Sequence, residues 1–147
     1  MTDLKKQRID AEDEGWTELR ALVDPLTPEQ TTRDGYFDDW SVKDLIAHLG
    51  CWMAEAATML ERMRMGTFES WDHDVEGRNL QWYETWRDVD LRTVWAELHS
   101  ARARMLEEWD RLAEITDDAD EWFRESAEEH YTEHLPRLRA WVEEMGD

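Results

Sequence analysis

Cysteine is nearly absent: Cys51 stands alone in 147 residues. No disulfide can form within the chain, so stability has to come from packing. Proline and glycine are scarce as well, at three and six, too few for the many turns of an all-β chain. No apolar run approaches the length that spans a bilayer, and the segment from Met1 to Gln7 has no apolar signal region. The expected location is therefore the cytoplasm. Lysine occurs only at positions 5, 6 and 43, which leaves arginine as the main cation. Positive charge is short overall, since 17 basic residues face 37 acidic ones for a net charge of -20. A field of that sign repels phosphate backbones and anionic lipid, so neither nucleic acid nor a membrane is expected as a partner. What remains is 41% hydrophobic and 37% charged, the balance of a globular chain, and its length suits a single domain over residues 1–147. Ten tryptophans are many for this length. Core packing is the commoner use of that side chain, and a pocket for a planar ligand the rarer one.

The pattern along the chain is helical throughout. A loose apolar stripe through Leu4, Ala11, Trp16, Leu19 and Val23 predicts a first helix over about Asp3 to Val23, stopped by Asp24-Pro25. Thr27-Pro28-Glu29-Gln30 has the form of a capping box that opens a single turn. The strongest start signal lies at Ser41, a good N-cap with Asp44 at the third helical position. From there Leu45, Ile46, Leu49, Met53, Ala56 and Leu60 repeat at helical spacing up to Gly66. A loop over Thr67 to Gly77, a short helix around Arg78 to Arg87, and a longer one from Asp90 to about Leu112 follow. The last helix is expected to start near Asp117 or Asp118, where acidic residues suit the positive end of the helix dipole. It continues through His130, His134 and Trp141, with a kink or short break at Pro136. Long helices and no strand pattern predict an all-α fold, a four-helix bundle.

His130-Tyr131-Thr132-Glu133-His134 places two histidines at i and i+4, one above the other on a helical face. Two neutral imidazoles so placed can reach one zinc, nickel, copper or iron ion. On its own such a pair is as often an ordinary surface or core pair. His48, one turn into an apolar helix, is taken singly a satisfied core residue more often than a ligand. Metal sites in bundles are nevertheless built from facing helices. One histidine from the second long helix and two from the last would form a three-nitrogen set with open coordination positions, the catalytic arrangement.

Trp40-Ser41-Val42-Lys43-Asp44-Leu45-Ile46-Ala47-His48-Leu49, with Trp52 following, resembles the signature of the DinB-like superfamily of metalloenzymes. His130-Tyr131-Thr132-Glu133-His134-Leu135, followed by Trp141, resembles its last-helix motif, and the branch most resembled is the ClbS/DfsB type. This resemblance implies a divalent transition metal (zinc, nickel or iron) held by His48, His130 and His134. It implies water or a low-molecular-weight thiol such as mycothiol or bacillithiol as the activated nucleophile, and a small-molecule electrophile as substrate. The ClbS-type relatives include a hydrolase that opens a cyclopropane in a genotoxic natural product. A homodimer is also implied, since relatives often pair. Many members have no assigned reaction, so family resemblance alone does not name one.

Two other function classes stay open: a non-catalytic protein that binds a metal or a small molecule in stress or self-protection, and an interaction module in which the histidines are remnants. Cys51, one turn after His48, reads as an extra soft ligand, a reactive thiol, or a small buried residue, and free cysteine is most often the last. His73, between Asp72 and Asp74, reads as a solvated loop or a weak outer metal site. His99 reads as half-buried on its helix or as a neighbour of the pocket. Glu133, with Glu125, Glu128 and Glu129, reads as a solvated acidic face or as the source of a general base.

Overall fold

Helices in this chain begin where a side-chain oxygen is available for the first free amides. Asp3, Thr27, Ser41, Asp74, Asp90 and Thr116 each accept a hydrogen bond from the backbone N–H three residues on. In the computed structural model, which describes residues 3–70 and 74–146, these caps open α1 (Leu4–Val23), α2 (Pro28–Thr32), α3 (Val42–Met65), α4 (Val75–Trp86), α5 (Leu91–Arg111) and α6 (Asp117–Ser126), and α7 (Glu128–Gly146) completes the set. The boxes at Thr27/Gln30 and Ser41/Asp44 are both reciprocal. Gly66 ends α3 in the left-handed region, at φ 75°, where a side chain would be strained. The fold is all-α, with no strand among the described residues and one isolated bridge, Phe37 to Trp40.

Two boundaries differ from the sequence expectation. The short fourth helix starts earlier, because Asp74 caps the Gly77 amide and draws residues 75–77 into the helix. The last helix breaks at Ala127, with φ -122° and ψ -93°, and runs unbroken through Pro136. Pro136 removes the bond to the Thr132 carbonyl, but both residues are exposed, so the loss falls on the solvated side of the helix.

α3 lies at the centre, packed along α5 and flanked by α4 and α6, while α1 packs on α7. Leu19 of α1, Ile46 and Met53 of α3, Leu98 and Met105 of α5, and Leu138 of α7 are fully buried where these helices meet. Each such side chain contributes about 1.5–3 kcal/mol. The α3–α5 approach is close at Gly50, where a Cβ would stand 3.3 Å from the Leu98 Cα. At Gly15 of α1 a Cβ would collide with the Tyr131 ring of α7.

Of the buried polar groups among the described residues, a carboxylate lies deepest. Glu12 on α1 is 0% exposed. It accepts two-pronged hydrogen bonds from Arg102 on α5, at 2.6 to 3.1 Å, and one at 2.8 Å from the Tyr131 hydroxyl on α7. The Arg102 guanidinium lies 4.4 Å from the centre of the Trp16 ring, which covers it. Three helices are thereby tied in register, and Tyr131 is held immediately beside His130 in the chain.

Among the described residues no helix is long and apolar enough to cross a membrane.

Candidate metal centre

His48 projects from the second turn of α3, whose start is set by the Ser41 cap, and His130 and His134 project from the first turns of α7. The bundle brings all three together: one ligand-capable atom from each lies within 4.8 Å of the others. The ring centres are 4.8 Å apart for His48 and His130, 5.1 Å for His48 and His134, and 4.7 Å for His130 and His134. The His48 and His130 Nε2 atoms stand 3.0 Å apart, so one carries the proton and the other accepts it. The break at Ala127 matters here, because it resets the direction of the chain one turn before His130.

Burial decides the charge state of the group. It pushes the His48 imidazole down to about 3, with His134 nearby acting in the same direction. His130 lies well below its ordinary value for the same reason, with His48 and His134 adding to the effect. His134 is lowered by burial and by Arg137, against an upward pull from Glu133. Neutral imidazoles are the form that binds a transition metal. The His134 Nε2 is buried and has no hydrogen-bond partner in the chain. An orphaned nitrogen within a group of neutral imidazoles fits a metal ion as the missing partner.

Trp40 backs the site. The tight turn Phe37-Asp38-Asp39-Trp40, with Asp38 at φ 51°, delivers its ring edge-on to His48 at 5.4 Å. The other side of that ring stacks on Tyr83 of α4 at 5.2 Å and 2°. In front lies a cavity of about 510 Å³, bounded by His48 and Trp52 of α3, Phe68, Asn79 of α4, Trp122 and Glu125 of α6, and His130 and Glu133 of α7. That volume suits a small organic molecule. Trp52 is held by a 2.7 Å bond from its Nε1 to Asn79 and by edge contact with Trp82.

The other singled-out residues lie apart from the triad. Cys51 is half-buried between α3 and α5, and burial, with Glu97 and Glu55, pushes its thiol up to about 12. It is a poor nucleophile there, and it is not among the residues grouped with the histidines. His99 is exposed and packs on Trp16 and Trp95, away from the cavity. His73 lies outside the described residues. Glu133 is exposed but borders the cavity. Tryptophan serves less in the core than its number suggested: among the described ones, Trp16 and Trp109 alone are buried. Several of the rest surround the histidines instead. Asp118, Glu121 and Glu125 on α6 also border the cavity. In sequence Asp118 fits the helix dipole, Glu125 belongs to the acidic run read as a solvated face or as the source of a general base, and no local signal marks Asp118 or Glu121 as pocket residues.

A family model described as the mycothiol maleylpyruvate isomerase N-terminal domain matches residues 13–141. No curated protein matches the chain. Among solved structures, an uncharacterised protein from Escherichia coli UTI89 superposes with a TM-score of 0.81 over 97% of this chain and 94% of its own, at 16% identity. At that identity the likeness speaks for the fold alone.

Proposed function

The chain belongs to the mycothiol maleylpyruvate isomerase N-terminal domain family, a DinB-like helical group, and on that premise we propose a metal-dependent enzyme. In this reading His48, His130 and His134 hold one divalent transition ion, and water or a low-molecular-weight thiol is activated for attack on a small electrophile. The observation that carries it is the meeting of three neutral imidazoles, two of them with a partnerless nitrogen, beside a cavity of about 510 Å³. A bound divalent ion supplies Lewis acidity there and draws the pKa of a water or thiol ligand toward neutrality.

The chain's own residues do the rest. Trp40, wedged between His48 and Tyr83, fixes the His48 ring. Trp52, Phe68 and Trp122 give the cavity apolar walls that hold a substrate and limit water. Glu125 and Glu133 border the same cavity as His48 and His130 and are placed to take up a proton from an entering nucleophile. The Trp40 to Leu49 pattern also supports the ClbS/DfsB-type branch, for which hydrolysis without consumption of thiol is the reaction to expect.

Metal content of tag-free protein, measured by mass spectrometry, tests the site. One zinc, nickel or iron ion per chain is expected, and none in a variant carrying both His48→Ala and His130→Ala. Absence of metal after titration near neutral pH would sink the enzyme reading. With metal present, loss of thiol or electrophile over time separates an enzyme from a protein that merely binds.

A further inference from the structure

The wall of the cavity carries charge of one sign. Its charged side chains among the described residues are Asp118, Glu121, Glu125 and Glu133, and no lysine or arginine borders it. The nearby arginines are engaged elsewhere: Arg124 with Asp120 and Glu129, Arg8 with Asp120, and Arg78 with Glu55. Burial, with Glu121 and Glu129 as neighbours, holds the Glu125 carboxyl above its ordinary range, as crowded negative charge should. The rings of Trp52, Phe68 and Trp122 line the same cavity as these carboxylates. His130, only 7% exposed, also lines the cavity and keeps its Nδ1 buried without a partner.

Carboxylates and aromatic rings lining one cavity can recognise an organic cation, through Coulomb attraction and the ring quadrupole together. We propose that this cavity takes molecules bearing an ammonium or guanidinium group on an apolar body, and turns away carboxylates. This names the substrate class for the site described above and rests on that reading for its chemistry. A divalent ion on neutral histidines brings two positive charges against four carboxylates, so the wall keeps its negative sign with or without metal. The family takes its name from an isomerase of maleylpyruvate, a dicarboxylate. Such a substrate would meet repulsion here.

Calorimetric titration at physiological ionic strength tests this, on zinc-treated and metal-free protein, with benzyltrimethylammonium, benzyl alcohol and benzoate as probes of similar body. The cation should bind about tenfold more tightly than the alcohol, the sum of one cation–π contact and one screened charge pair, and benzoate should bind most weakly. Glu121→Gln with Glu125→Gln should erase the preference while benzyl alcohol binding, helicity and metal content stay unchanged. Glu143→Gln with Glu144→Gln, on the exposed end of α7, should leave the preference intact and so control for net charge. The proposal fails if benzoate matches the cation in either form, if no probe binds at millimolar concentration, if the preference survives in the α6 variant, or if it falls equally in the α7 variant. Metal content is measured separately, so a chain that holds no metal yet prefers the cation would defeat the enzyme reading and leave this one standing.

Discussion

Three imidazoles packed this closely cannot all carry protons, and folding has to hold them neutral. That makes stability depend on pH in a defined window. The ordinary imidazole value is 6.5, and burial brings His48 to about 3. Between those values the unfolded chain binds more protons than the folded one, so the stability is complete above 6.5 and is lost as pH falls. At pH 5.5 each such histidine costs about 1.4 kcal/mol, and His48 and His130 together about twice that. Urea denaturation of metal-free protein between pH 7.5 and 5.5, above the carboxylate range, should show the decline. The variant carrying His48→Gln and His130→Gln should flatten it. A wild-type stability that stays constant over the window would mean that the imidazoles are not buried as described.

Among the elements, the tie between α1, α5 and α7 through Glu12 has the clearest consequence. Its carboxylate has no water to fall back on, and Arg102 and Tyr131 point their donors at it. Glu12→Ala would leave the guanidinium half-buried with only its longer, 3.5 Å pair to the exposed Asp13 and should lower the unfolding free energy by about 3 kcal/mol. Chemical denaturation checks this, and a loss below about 1 kcal/mol would assign the network little weight. Because Tyr131 neighbours His130, the same variant should also weaken metal binding. Most helix starts were legible in the sequence, since a cap is a local matter of one side chain and one amide three residues on; the Asp74 cap, which opens α4 three residues ahead of expectation, was not. The break at Ala127 was not: no residue there announces it. Pro136, which does announce one, sits where the lost bond faces solvent.

For the whole molecule, a net charge of -20 on a chain this small means self-repulsion in the folded state. Sodium chloride should raise the melting temperature by several degrees as ionic strength goes from about 0.01 M to about 0.5 M, because the Debye length shrinks from roughly 30 Å to a few ångströms. A melting temperature that stays level or falls would show that the ion pairs, among them Arg8 with Asp120 and Arg64 with Glu108, outweigh the repulsion.

The sequence by itself determined the all-α class and most of the capped starts of the helices, and its resemblance to a known family pointed to His48, His130 and His134 as candidate ligands. The first two depend on periodicity or on groups a few residues apart, which the chain order preserves. Tertiary structure decided that His48 meets His130 and His134, more than eighty residues away in the chain, within 4.8 Å, that Cys51 and His99 stand aside, and that Trp40, Trp52 and Trp122 border the site. It also decided that the acidic start of α6 faces a cavity. Burial and the field of neighbours set these outcomes, and both depend on which helices pack together, which no local spacing encodes.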